Sequence, residues 1–363
     1  MSLLFEPLAL RAVTAPNRVW MAPMCQYSAP VEGPDTGVPG DWHFQHLASR
    51  AVGGAGLILT EATAVSPEGR ISARDLGLWN DTQTAAFRRI TAFLREQGAV
   101  PGIQLAHAGR KASVSPPWID RGAAVPVGQD GGWQALGPSA AAFGSYPVPH
   151  ELTTGDITRI VEQFAAAARR ALDAGFQVAE IHGAHGYLVH EFLSPYSNHR
   201  TDAYGGSLEN RMRFAFEIVD AVRSVWPDEL PLFFRTSATD WLDEDPSREG
   251  WTGEDTIQLA KELQSRGVDL LDVSTGGNVP DATIPVGPDF QVPFASAIRS
   301  RTGLATAAVG LITEPAQAEA VLARGDADAV LLGRALLRDP YWARHAARDL
   351  GATVPVPNQY ARA

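Results

Sequence analysis

The stretch Gly53-Gly54-Ala55-Gly56-Leu57-Ile58-Leu59-Thr60 decides between two ways of wrapping helices around a parallel sheet. A doubly wound sheet that binds a dinucleotide wants its glycine cluster after an early strand, at the start of the next helix. Here the glycines precede the strand. They follow a helically patterned segment, residues 41–52, and read as the turn that ends it. Outward from this point the same unit recurs along the whole chain. Short, almost continuously apolar runs at 19–23, 56–60, 100–106, 178–182, 232–235, 270–274, 305–309 and 329–332 have the character of strands covered on both faces. Helical patterns lie between them at 41–52, 82–96, 155–174, 208–225, 252–266, 292–301, 314–323 and 334–338 with its continuation. Thr252-Gly253-Glu254-Asp255 and Thr313-Glu314-Pro315 carry the polar cap and early acids of helix starts. The pattern predicts an α/β fold, a (β/α)8 TIM barrel, in a single domain over residues 1–363.

One connection breaks the rhythm. Residues 108–154, rich in Gly, Pro, Ser and Trp, leave the C-terminal end of the third strand, where barrel active sites lie, and read as a lid-like insertion. Composition excludes several other functions. The net charge of −11 disfavours nucleic acid and anionic membrane surfaces as partners. A single cysteine, Cys25, forbids an intrachain disulfide and a four-thiolate cluster. No run approaches a membrane span, and the first residues show no secretory pattern, so the cytoplasm is the expected compartment. From composition alone, Cys25 is either a small core residue or a reactive thiol.

Strand ends name the candidate site. They bring together Met24-Cys25-Gln26-Tyr27, Glu61-Ala62, Gln104 with His107 and Arg110-Lys111, His182 through Tyr187, Arg235, Gly310 and Gly333-Arg334. The glycines after strands seven and eight, with Arg334 as counter-charge, suit a phosphate-bearing ligand. His182 and His185 lack a third ligand at metal spacing, so no metal site is expected; with Tyr187 they read as a cup for a substrate oxygen, Tyr187 giving the proton. Arg235 offers a fixed charge to a developing anion. Strand pattern alone leaves Gln104 as either a heterocycle contact or a satisfied core amide.

Ala22-Pro23-Met24-Cys25-Gln26-Tyr27, Gln104-Leu105-Ala106-His107-Ala108-Gly109-Arg110-Lys111 and Ile181-His182-Gly183-Ala184-His185-Gly186-Tyr187-Leu188 together resemble the Old Yellow Enzyme family. The similarity is to its thermophilic-like, bacterial branch of ene-reductases, and Phe192-Leu193-Ser194-Pro195, Tyr204-Gly205-Gly206-Ser207 and Glu209-Asn210-Arg211 extend it along the chain. The resemblance implies non-covalent FMN, NADPH (or NADH) as hydride donor, and small activated alkenes as substrates. It implies that Ala22, Pro23, Met24 and Cys25 line the flavin, that Ala62 and Gln104 touch its ring, and that Arg235 faces the N1/O2 edge. Gly310, Gly333 and Arg334 would bind the phosphate. His182 and His185 would hold the substrate oxygen, Tyr187 would protonate, Tyr27 would close over the substrate and Lys111 would stand beside it. Gln359-Tyr360-Ala361-Arg362, within a tail at 355–363, resembles one that lends an arginine to a neighbouring subunit, implying a homodimer or homotetramer with Arg362 crossing the interface.

Overall fold

The computed structural model describes residues 2–362. Eight parallel strands close into a barrel: β1 (Val19–Met21), β2 (Leu57–Ala64), β3 (Val100–Ala106), β4 (Val178–Gly183), β5 (Leu232–Ser237), β6 (Leu270–Ser274), β7 (Ala305–Ala308) and β8 (Ala329–Leu332). Each pairs with the next in chain order, and β8 returns to β1. Outside stand α1 (Asp41–Val52), α2 (Asp81–Glu96), α3 (Thr154–Asp173), α4 (Leu208–Arg223), α5 (Gly253–Ser265), α6 (Val292–Thr302), α7 (Pro315–Ala323) and α8 (Arg334–Arg338). This is the (β/α)8 architecture the alternating pattern implies.

The glycine turn at the start of β2 is forced by packing. A Cβ on Gly53 would stand 1.9 Å from the Pro340 carbonyl oxygen, and one on Gly56 would stand 2.6 Å from Asn17 Oδ1. Gly54 has a φ of +92°, in the left-handed region that favours glycine. These residues close the bottom of the barrel and are remote from the strand ends that carry chemistry.

Inward positions change character along the strands, and this gradient builds the site. At the lower end Trp20 stacks on Phe233 with centroids 5.8 Å apart, among Leu57, Val178, Leu270 and Ala307. A hairpin of Leu8–Leu10 and Val13–Ala15 plugs that end. Two residues further along β4, β5 and β6 the interior turns polar: Val178 gives way to Glu180 and then His182, Phe233 to Arg235, and Leu270 to Asp272. A larger apolar shell lies between strands and helices, including Ile58, Ile103, Phe164, Phe192, Phe214 and Phe234.

Local chemistry sets the element ends. Asn80, Thr153 and Thr252 each accept a hydrogen bond from the N–H three residues on, at 3.0, 3.2 and 3.2 Å. Each such cap stabilises its helix by about 1 kcal/mol. At α7 the cap is Glu314, one residue later than Thr313, with Pro315 opening the helix. β2 runs four residues past Thr60, its register shifting between Leu59 and Ala62. The six-residue helix Leu188–Leu193 is too short to show a helical period in sequence. Residues 108–154 are fastened by bridges from Val114 to Ser72 and Ala124, and by pairing of Leu136–Gly137 with His150–Glu151. No helix of the described residues is long and apolar enough to cross a membrane.

Because a methyl group at Gly53 meets a backbone carbonyl, Gly53→Ala should lower unfolding free energy by about 1–3 kcal/mol. Denaturant titration checks this; an unchanged midpoint would show that the turn relaxes freely.

Candidate active site

The polar layer begins with Arg235, 6% exposed, whose Nε lies 3.1 Å from Asp272 Oδ2. Its Nη2 donates to Ser274 Oγ at 2.9 Å. Glu180 is wholly buried beside this pair and accepts from Gln104 Nε2 at 2.8 Å, so the Gln104 amide is oriented from below. Burial, reinforced by the Asp272 charge, pushes the Glu180 carboxyl up to about 8, while Arg235 opposes the rise. Glu180 Oε2 has no hydrogen-bond partner among the described residues. Neither Glu180 nor Asp272 is among the expected site residues. An acid in the middle of an apolar strand, as in Leu270-Leu271-Asp272-Val273, was the signal for both.

Above this layer, the rings of His182 and His185 lie 5.2 Å apart, and His182 and Tyr187 5.1 Å apart, all nearly perpendicular. Burial, and then the Arg235 charge, pushes both imidazoles well below their ordinary range, so each is neutral. His182 Nδ1 accepts from the Ala184 N–H at 3.2 Å, which leaves the proton on Nε2, available to a ligand. Burial holds the Tyr187 hydroxyl well above its ordinary range, so its proton stays in place until a stronger base takes it.

Tyr187 also packs with Cys25 and Tyr27 against Ala62 and Ala106, forming an apolar wall at the mouth. Burial, followed by the charges of Asp75 and Glu61, raises the Cys25 thiol, so it is protonated. The loop that carries Cys25 is pinned by Glu61, which accepts from the Gln26 N–H at 2.8 Å. Lys111 is turned towards the protein: Nζ donates to the carbonyls of His185 and Gly277, both at 2.8 Å. It therefore braces the His185 turn, and its Nζ also lies 5.2 Å from the centre of the Tyr187 ring, beside the candidate site.

A cavity of about 250 Å³ runs from His185 and Arg235 to Gly310, Gly333 and Arg334 at the ends of β7 and β8. A larger hollow of about 410 Å³, between Pro195 and Arg248, has none of these groups. Gly310 has φ +126°, and a Cβ there would stand 2.8 Å from Gln291 Nε2. Gln291 joins two loops, accepting from the Thr275 N–H at 2.7 Å and donating to the Val309 carbonyl at 3.0 Å. Met24 lies 3.5 Å from the Cβ position of Gly333. Ala22, next to Pro23, donates its N–H to the Leu332 carbonyl at 3.1 Å, which fixes the β1 loop beside β8. Arg362 stands apart from the others: residues 354–359 lie against Asn17, Gly54 and Gln97, at the opposite end of the barrel. The tail does not bring Arg362 to the site of its own chain.

This mouth has neutral donors over one end of a cavity and a fixed cation, glycine loops and Arg334 along the rest, an arrangement suited to an anionic cofactor and a small polarisable substrate. The chain belongs to the NADH:flavin oxidoreductase / NADH oxidase family, whose model matches residues 3–352. An NADPH dehydrogenase of Geobacillus sp. (strain WCH70) is 49% identical over 362 residues, spanning 99% of this chain and 98% of that one. Among solved structures, morphinone reductase is 30% identical with TM-score 0.77, covering 99% of this chain and 92% of its own. An old yellow enzyme homologue from Zymomonas mobilis is 28% identical, also with TM-score 0.77, covering 97% and 94%. The chain is thus an oxidoreductase of the Old Yellow Enzyme kind, as its motifs imply.

Buried acids leave a mark on stability. Burial raises Glu191 to about 8, well above its unfolded value, although its Oε1 accepts from the Arg110 N–H at 2.8 Å. Between an unfolded pKa of about 4.3 and the folded value, the native chain holds a proton that the unfolded chain has released, so stability falls as pH rises. Glu191→Gln removes this contribution. The melting temperature of the variant relative to the parent should rise between pH 5 and 8; a pH-independent difference would contradict the assignment.

Proposed function

We propose that this chain is an FMN-dependent NADPH:alkene oxidoreductase, with NADH as the weaker donor, reducing enones, enals, maleimides and nitroalkenes. The observation that carries the reading is the convergence of two neutral imidazoles and a protonated tyrosine above a buried guanidinium. The residues suit the cofactor. Gln104 presents an amide held by Glu180, Arg235 presents a charge only partly matched by Asp272, and a Cβ at Gly310 would crowd Gln291. FMN held there would supply hydride chemistry between NADPH and the β-carbon of the alkene.

The protein supplies placement and protons. Ala22, Pro23, Met24 and Cys25 would face the flavin, Ala62 and Gln104 its ring edge, and Gly310, Gly333 and Arg334 its phosphate. His182 Nε2 and His185 donate to the carbonyl or nitro oxygen, on which negative charge grows as hydride arrives. Because both rings are neutral, they polarise that oxygen without releasing a proton to it. Tyr187 gives its proton to the α-carbon, and Tyr27 with Cys25 shields that face from water. Arg235 would offset the negative charge that a reduced flavin carries. The placement of the tail supports a homodimer or homotetramer, since Arg362 could reach only another subunit's site. The single cysteine suits the cytoplasm.

The test separates the half-reactions. Purified protein should take up FMN to one per chain and show flavin absorbance; a chain that takes up none is not this enzyme. In stopped flow, Tyr187→Phe should slow alkene reduction by about 10²-fold or more while flavin reduction by NADPH stays near the parental rate. Equal loss in both half-reactions would contradict the role given to Tyr187.

A further inference from the structure

Behind the His185-Gly186-Tyr187 turn lies a buried histidine–carboxylate pair that the proposed chemistry does not use. His190, on the Leu188–Leu193 helix, and Asp240, just beyond β5, are both 0% exposed. His190 Nε2 stands 3.1 Å from Asp240 Oδ1. The other ring nitrogen, Nδ1, accepts the Gly186 N–H at 2.9 Å. Gly186 separates His185 from Tyr187 in the chain, so one hydrogen bond ties the pair to the centre of the turn that carries both.

The turn needs such a tie. His185 has φ +60° and Gly186 has φ +71°, two successive residues in the left-handed region, of which the first has a side chain. A Cβ on Gly186 would stand 2.3 Å from the Gly277 carbonyl oxygen, so the turn is pressed against the loop after β6. The backbone is held on both sides: the His185 N–H donates to Ser237 Oγ at 2.9 Å and the His185 carbonyl accepts from Lys111.

Asp240 dictates which nitrogen of His190 accepts. Its Oδ2 accepts from Ser194 Oγ at 2.5 Å and the Trp251 N–H at 2.9 Å, which fixes the carboxylate. Burial works against charge on Asp240, but His190, Ser194 and the Trp251 N–H together hold it below the usual carboxylate range. A fixed carboxylate facing Nε2 keeps the ring proton on that nitrogen and leaves the Nδ1 lone pair for Gly186. With the proton on Nδ1, two donors would face each other at the Gly186 contact.

The geometry points to Asp240 and His190 as a positioning pair for the substrate-binding turn, with Asp240 fixing the imidazole tautomer and His190 Nδ1 setting the place of His185 and Tyr187 through the Gly186 N–H. The inference rests on the reading of Tyr187 as proton donor only for its kinetic consequence.

Three variants of the FMN-loaded enzyme test it. His190→Asn keeps an oxygen near the position of Nδ1, and His190→Gln keeps a donor towards Asp240 but loses the acceptor for Gly186. Asp240→Asn presents an amide to Nε2 and drives the ring proton to Nδ1. Hydrogen–deuterium exchange of the peptide spanning residues 184–188 should show one amide exchanging at least about tenfold faster in His190→Gln and Asp240→Asn, and near the parental rate in His190→Asn. Alkene reduction should fall roughly 10- to 100-fold in His190→Gln and Asp240→Asn and stay near the parental rate in His190→Asn, with FMN affinity within about twofold of the parent throughout. If His190→Gln does not fold, Asp240→Asn carries the same comparison. Equal protection in all variants, or equal loss in His190→Asn and His190→Gln, would overturn the proposal. Failure of the Tyr187 reading would look different: Tyr187→Phe would reduce alkenes at the parental rate while the exchange pattern stood.

Discussion

A single guanidinium inside the barrel has to be compensated, and the layout of the site follows from how that is done. Arg235 sits on the inward face of β5 at 6% exposure, with Asp272 on one neighbouring strand line and Glu180 on the other side. An unpaired buried charge would cost several kcal/mol. Asp272 meets the cation directly; Glu180, raised by burial and by Asp272, orients Gln104. One strand position supplies each member. The cluster therefore fixes a cation and an oriented amide above an apolar base formed by Trp20 and Phe233, with His182 in register with Arg235 on the neighbouring strand.

The gradient along the strands explains why stability and chemistry can coexist here. The lower inward layers and the shell around them are closely packed hydrocarbon, and the plug hairpin keeps water from that end. Only the upper layer is polar, and its members hold one another. Protonation states follow from the same burial: the histidines are neutral and the tyrosine keeps its proton. A site with neutral donors beside a fixed cation can stabilise a growing negative charge without exchanging protons prematurely.

Much of this was legible in the sequence because it depends on short-range pattern. The glycines at 53–56 lie on the wrong side of a strand for a dinucleotide turn, and eight apolar runs alternating with helical patterns left little but a barrel. His182, His185, Tyr187 and Arg235 were readable as strand-end residues. What escaped was long-range or short. The partnership of Gln104 with Glu180 crosses 76 positions, and that of Lys111 with the His185 carbonyl 74. The Leu188–Leu193 helix is shorter than two turns, so it left no period. The motif puts Lys111 beside the site, but only the fold shows that the carbonyls of His185 and Gly277 hold its ammonium. Arg362 falls at the far end of the barrel because the tail follows the turn at Gly54.

The central claim is that Arg235 is the charge around which the site is organised, meeting the negative charge that the proposed flavin gains on reduction. The most direct measurement is the two-electron reduction potential of the FMN-loaded protein, compared between the parent and Arg235→Met. Loss of one charge-assisted interaction, about 1.5–3 kcal/mol, corresponds to a fall of roughly 30–60 mV. A potential lowered by that amount in the variant, with FMN still bound, is the predicted result. An unchanged or raised potential would contradict the account.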